Sequence, residues 1–163
     1  MHPVARADLR LFRLVRSAAH PPAAEAVARF SRLGEHAGLW LVLGTVGALV
    51  DRPPRRPRWR RGAIVVAGTY AANTAIKHVF RRPRPQLTDL PALVKTPSAL
   101  SFPSAHASTS FAAAGLYAGL LPALPLYATA AAMAGSRVYL GVHYPSDVAA
   151  GVLLGLAIGS VAR

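Results

Sequence analysis

The sequence predicts an all-α fold: an integral membrane bundle of about five transmembrane helices, preceded by an amphipathic helix lying at the interface. Three observations predict it. Hydrophobic residues make up 53% of the 163-residue chain and charged residues only 15%, against roughly 25% charged in ordinary soluble domains. The charges are gathered into short stretches that leave long uncharged runs between them. Near the N-terminus, by contrast, arginine recurs at helical spacing.

Taken in chain order, residues 5–19 place Arg6, Arg10, Arg13 and Arg16 three and four residues apart, with Leu9, Leu11, Phe12, Leu14 and Val15 between them. That is the pattern of a basic amphipathic helix on a membrane surface. The arginines interrupt any apolar core, so the segment does not read as a signal peptide. Spans are expected at 33–50, 62–80, 105–121, 123–140 and 147–162. A bilayer core needs roughly 17–25 helical residues, and polar residues at the ends of shorter runs can lie at the headgroups. Residues 51–61 carry six Arg and three Pro and read as a connection between spans. Pro122 and Pro125 mark a turn between the third and fourth spans. Gly and Ala within the spans suit close packing in lipid. A soluble bundle is the competing reading, but a chain this small cannot surround five nearly uncharged helices. The whole chain, 1–163, reads as one domain, with 1–30 an amphipathic N-terminal region.

The composition excludes several function classes. With no cysteine there is no disulfide scaffold, thiol catalyst or Cys-ligated metal. With six acids against 19 bases, a carboxylate-rich metal site is not expected. The net charge of +13 suits anionic lipid headgroups, and no nucleic-acid-reading motif accompanies it. Protein partners are not indicated.

If the spans alternate in direction, Lys77, Arg84, Ser104, His106, Arg137, His143 and Asp147 all fall on one face of the membrane. Phosphoryl transfer is the chemistry that wants this set. Its transition state spreads negative charge over equatorial oxygens, which Lys77, Arg84 and Arg137 could clamp. A helix starting at Ser104 would add free N–H groups, with Ser104 a candidate N-cap. Two histidines supply nucleophile and proton donor, and Asp147 could accept a hydrogen bond from His143 and fix its tautomer. Arg81 and Arg82 either extend the positive field or contact lipid. His2, His20, His36 and His78 do not fit the set, though His78 adjoins Lys77. Asn73 and Tyr139 read as packing residues.

These residues lie in three motifs: Lys77, six residues, then Arg84-Pro85; Pro103-Ser104-Ala105-His106; and Ser136-Arg137, five residues, His143, three residues, Asp147. In this the chain resembles the type-2 phosphatidic acid phosphatase superfamily over about residues 62–162. It departs from the common pattern at Ala105, where that family usually has Gly. The resemblance implies that His143 attacks phosphorus to form a phosphohistidine, that Asp147 orients it, and that His106 protonates the leaving alcohol and then helps activate water. Lys77, Arg84, Ser104 and Arg137 would hold the phosphate, without a metal or other cofactor. The implied substrate is a membrane lipid phosphate. The compact chain and its Ala, Arg and Pro bias, which suggests a GC-rich bacterial source, favour a polyprenyl-linked phosphate such as decaprenylphosphoryl-5-phosphoribose. Polyprenyl diphosphate, phosphatidylglycerol phosphate and phosphatidic acid are the alternatives, and a non-catalytic anionic-lipid-binding scaffold is the reading from another class.

Overall fold

The computed structural model describes residues 3–162; His2 and Arg163, which the sequence reading assigned no catalytic role, lie outside them. Among the described residues seven α-helices follow one another: α1 (Pro3–Ser17), α2 (Pro21–Arg32), α3 (Gly38–Val50), α4 (Arg56–Phe80), α5 (Ala105–Tyr117), α6 (Ala123–Tyr139) and α7 (Pro145–Val161). Among the described residues there is no strand, only isolated bridges such as Pro83 with Leu100.

Helix α5 is the axis. It packs against α4, α6 and most extensively α7. Its residues are mostly small, and all but Ala105 and Phe111 are buried. The contact with α7 is close because Gly151, Gly155 and Gly159 recur one helical turn apart on the facing stripe. A Cβ at Gly151 would stand 2.6 Å from the Ser104 carbonyl oxygen, and one at Gly155 would press on that of Ser108. Backbone cannot give way as a side chain can, so this seam fixes how Ser104 and the first turn of α5 sit against the first turn of α7. Below it, Trp40 donates to Ser110 Oγ at 2.8 Å and Tyr117 donates to the Trp40 carbonyl at 3.0 Å, both inside the core.

Three expectations change in the structure. The stretch 51–61 is a connection only in its first half: residues 51–55 link α3 to α4, and Arg56–Arg61 forms the start of α4. Arginine is a good helix former, and Pro57 is tolerated because the first helical turn needs no N–H there. Second, the segment expected to span from residue 33 is broken. Helix α2 ends at Arg32, a 3₁₀ turn covers Glu35–Ala37, and only then does α3 begin. His36 and Ala37 hold φ of 51° and 60°, where a Cβ is disfavoured. Third, the N-terminal region is two helices that pack onto α6 and α7, not one helix lying apart. Phe12, Asp8 and Arg16 are buried, and Arg16 donates to the Pro91 carbonyl at 2.8 Å.

By length and composition, no single described helix is long and apolar enough to cross a membrane. The pair Pro21–Arg32 and Glu35–Val50 passes that test together, bent by 47° at the break. Three of the expected spans are shorter in the structure, α3 with 13 residues, α5 with 13 and α6 with 17, whereas α4 with 25 and α7 with 17 are longer.

Candidate active site

The C-terminal ends of α4 and α6, the start of α5, the turn before α7 and the loop 81–104 meet around one cavity of about 210 Å³. Lys77, Arg84, Ala105, His106, Arg137 and His143 line it. Ser104 and Asp147 are buried immediately beside them.

Local chain geometry places each group. Lys77 lies in the last turn of α4, where its Nζ donates to the carbonyls of Ser101 at 2.9 Å and Leu100 at 3.3 Å. The loop folds back on itself: Ser101 N–H donates to Arg82 O at 2.8 Å and Arg84 N–H to Ala99 O at 3.2 Å. Arg84 is thereby delivered to His143. Its Nε donates to Ser98 O at 2.7 Å and its Nη1 to Val142 O at 2.7 Å, while Nη1 stands 3.1 Å from His143 Nε2. After α6 the chain turns so that Val142 N–H and His143 N–H both donate to the Arg137 carbonyl. The five-residue spacing between Arg137 and His143 is the length of that turn.

Which nitrogen of His143 is free follows from its neighbours. A guanidinium can only donate, so Nε2 facing Arg84 carries the lone pair and Nδ1 carries the proton. Nδ1 faces Asp147 Oδ2 at 3.5 Å, a longer separation than the hydrogen bond expected from sequence. Asp147 is itself fixed: Oδ2 accepts the Tyr144 N–H at 2.9 Å and Oδ1 accepts Arg82 Nη1 at 2.8 Å. His106 is oriented in the same way. Its Nε2 is 3.1 Å from the Ser31 carbonyl, which can only accept. That leaves Nδ1 as the nitrogen able to exchange a proton with a substrate.

Ser104 occupies the N-cap position of α5 but makes no cap hydrogen bond with its side chain. Its N–H is used by the Asp147 carbonyl at 2.9 Å. The N–H groups that helix geometry leaves without an intrahelical acceptor are those of Ala105, His106 and Ala107. Ser104 Oγ and Arg137 Nε are buried polar atoms with no hydrogen-bond partner, as is His143 Nδ1, which faces Asp147. Unpaired buried groups of this kind are costly unless a ligand meets them, and Ser104 and Arg137 belong to the expected phosphate site.

Of the accessory arginines, Arg81 is exposed in a left-handed conformation, with Nε donating to the His78 carbonyl. Arg82 turns away from the cavity toward Asp147, Asp8 and Ser146. Sequence reasoning set aside His36 and His78, yet both line the cavity with Glu35, Tyr70 and Thr74. It also missed Ser31, whose Oγ accepts from Arg137 Nη1 and Ser136 Oγ. Gly34 and Gly38 bracketing a polar pair within an apolar stretch were the available signal of a break there. Asn73 is buried and donates to Ser108 Oγ at 3.0 Å, and Tyr139 accepts from the His20 N–H. Among the described residues no three His, Asp or Glu side chains are grouped to hold a metal ion.

Burial pushes the Arg84 guanidinium down to about 10, still charged at neutral pH. Burial first, then the cations Arg84, Lys77 and Arg137, hold the His143 imidazole well below its usual 6.5, with an opposing contribution from the Ser101 backbone. The groups facing it are Lys77 on α4, His106 on α5, Arg137 on α6, Asp147 on α7 and Arg84 in the loop. The sign follows. Above pH 6.5 His143 is neutral whether folded or unfolded and contributes no pH dependence. Below it the unfolded chain takes up a proton that the folded chain refuses, so stability falls by up to about 1.4 kcal/mol per pH unit. The melting temperature of the purified protein should drop between pH 7.5 and 5.5, and His143→Gln should flatten that drop. Identical slopes in the two proteins would rule this account out.

Residues 61–163 match the sequence model of the PAP2 superfamily. Over 135 residues the chain is 46% identical to the decaprenylphosphoryl-5-phosphoribose phosphatase of Mycobacterium tuberculosis, covering 80% of this chain and 73% of that one. It is also 46% identical to the protein of that name from Mycolicibacterium smegmatis, covering 74% and 67%. Among solved structures, Aquifex aeolicus LpxE superposes with a TM-score of 0.77 at 26% identity, covering 94% of this chain and 93% of that one. A transmembrane PAP2-type phosphatidylglycerolphosphate phosphatase from Bacillus subtilis superposes with a TM-score of 0.79 at 23% identity, covering 99% and 85%, and supports the fold alone.

Proposed function

The chain belongs to the PAP2 superfamily and is a phosphoric monoester hydrolase; from that premise we propose that it removes the phosphate of decaprenylphosphoryl-5-phosphoribose, a polyprenyl-linked sugar phosphate, in a bacterial membrane. The observation that carries the substrate reading is the mixed lining of the cavity. Beside the cations Lys77, Arg84 and Arg137 it carries Glu35, His36, Tyr70 and Thr74. A carboxylate beside a phosphate site repels the anion, but it is a strong acceptor for sugar hydroxyls. His36 Nδ1 and Tyr70 Oη lie 2.8 Å apart and offer further polar contacts. The names of the mycobacterial relatives point the same way. Arg82 is taken up by carboxylates and Arg81 does not line the cavity, so a monophosphate suits the site better than a diphosphate.

The chemistry runs through this chain's own residues. With His106 entering doubly protonated, His143 Nε2 attacks phosphorus opposite the ester oxygen; an N–P bond forms, the P–O bond breaks, and the leaving alkoxide takes the proton from His106 Nδ1, while His106 Nε2–H stays on the Ser31 carbonyl. Lys77, Arg84, Arg137, Ser104 and the first-turn N–H groups of α5 stabilise the equatorial oxygens. Asp147 supports the positive charge that grows on the His143 ring. Water, giving its proton to His106, then breaks the N–P bond and restores the enzyme. The three cations supply the charge stabilisation that a metal provides elsewhere, so turnover should withstand EDTA.

We read the whole chain as one membrane-embedded catalytic unit. Large apolar residues face outward, Ile64 72% exposed and Leu124 81%, while the seam of α5 with α7 is made of small residues at Ser108, Ala112, Gly151 and Gly155. Both features suit lipid, and a site at helix ends holds the phosphate at headgroup level with the lipid tail in the bilayer. A competition in one detergent tests the substrate. Decaprenylphosphoryl-5-phosphoribose should exceed polyprenyl diphosphate, phosphatidylglycerol phosphate and phosphatidic acid at least tenfold in kcat/KM, about 1.4 kcal/mol of transition-state preference. A tenfold advantage for any of the others overturns the substrate and leaves the phosphatase. Binding of all four without phosphate release would instead favour a lipid-binding scaffold.

A further inference from the structure

We propose that the N-terminal helix α1 is a working part of the catalytic centre: Asp8, acting through Arg82 and Ser146, positions the carboxylate of Asp147. The proposal rests on the assignment of His143 and Asp147 above.

Asp8 is the only acid in the first 24 residues, set among the four arginines of α1. It is 5% exposed. A helix that merely lay on a surface would have no reason to bury a carboxylate, which is costly unless it is fully paired. Here the pairing is complete. Oδ1 accepts the Ser146 N–H at 2.8 Å; Oδ2 accepts Ser146 Oγ and, at 2.8 Å, Arg82 Nη2. The other arm of the same guanidinium, Nη1, donates to Asp147 Oδ1 at 2.8 Å and to Ser146 Oγ at 2.7 Å. The guanidinium also lies over the Tyr144 ring, 4.2 Å from its centroid. One arginine thus bridges a carboxylate from α1 and the carboxylate that faces the nucleophile.

Two consequences follow. Rotation of the Asp147 carboxylate would break either its bond to Arg82 or its bond to the Tyr144 N–H, so Oδ2 is held toward His143 Nδ1. Asp8 also takes up part of the charge of Arg82. Without it, Arg82 would be drawn more fully onto Asp147 and weaken the support that Asp147 gives the His143 ring. Asp8, Arg82 and Ser146 are not among the residues lining the cavity, so their effect should fall on kcat and not on substrate affinity.

The test is a double-mutant cycle on the lipid phosphate turned over best in the competition. Asp8→Asn is expected to lower kcat about tenfold with KM within about twofold, and to change kcat less than about twofold when Asp147 is already Asn. A purely structural role would lower activity by the same factor in both backgrounds, and that result overturns the proposal. If Asp8→Asn does not fold, Ser146→Ala, which removes only the bridging hydroxyl, is taken round the same cycle with the same expectations. Full activity in Asp147→Asn alone would count against the site assignment itself, a failure separate from that of the positioning role.

Discussion

Replacing His143 with alanine is expected to reduce release of inorganic phosphate at least about a thousandfold with the fold intact. Loss of a nucleophile removes the covalent route and leaves only what binding and oxyanion stabilisation contribute. The side chain is buried and makes its contacts through ring nitrogens, with Arg84 at 3.1 Å and Asp147 at 3.5 Å. Truncation therefore removes the reacting atom and leaves Arg84 tied to Ser98 and Val142. The measurement is kcat/KM of the purified variant alongside its melting temperature. A loss under tenfold in a folded variant would mean that another group attacks phosphorus.

The second large effect is expected at Arg84, and it should be large even for the conservative change. Arg84→Lys keeps a positive charge but not the planar fork. The native guanidinium contacts Ser98 O, Val142 O and His143 Nε2 at once, joining the loop, the turn after α6 and the nucleophile. An ammonium group at the end of a flexible stem cannot reproduce the three in one plane. We expect about a hundredfold loss in kcat/KM, the scale of removing one preorganised donor from a charge-stabilising site. Activity within threefold of wild type would mean that Arg84 serves only as a charge.

Much of this could be read from residue spacing, because the motifs are local. The five residues between Arg137 and His143 are one turn closed on the Arg137 carbonyl, and the three between His143 and Asp147 lead into the first turn of α7. Such relations survive without knowledge of the rest of the chain. The contribution of α1 and α2 did not, because it is entirely long-range. Asp8 and Ser146 are 138 positions apart, and His106 meets Ser31 across 75. Helical periodicity shows that Arg6, Arg10 and Arg13 share a face; it does not show what the one acid between them will meet. The arginine-rich start of α4 was hidden for the opposite reason. Its charge density and prolines look like a loop, although Arg favours helix and Pro57 falls where a helix accepts it. The turn at Glu35–Ala37 was obscured by non-glycine residues in a left-handed conformation, which local preference argues against. That strained turn carries Glu35 and His36 into the cavity, so the least legible segment of the chain also supplies part of its polar lining.

The measurement that bears most directly on the central claim is capture of the covalent intermediate. With His106→Ala, a radiolabelled aryl phosphate can still phosphorylate the enzyme, because its good leaving group needs no proton, whereas the water step lacks its base. Label should accumulate on the chain, survive alkali, be released by acid as expected of an N–P bond, and map to the peptide containing His143. It should be absent when His143 is alanine as well. Label on Ser104 or any other residue, or no label above that double-variant background, would contradict phosphoryl transfer through His143.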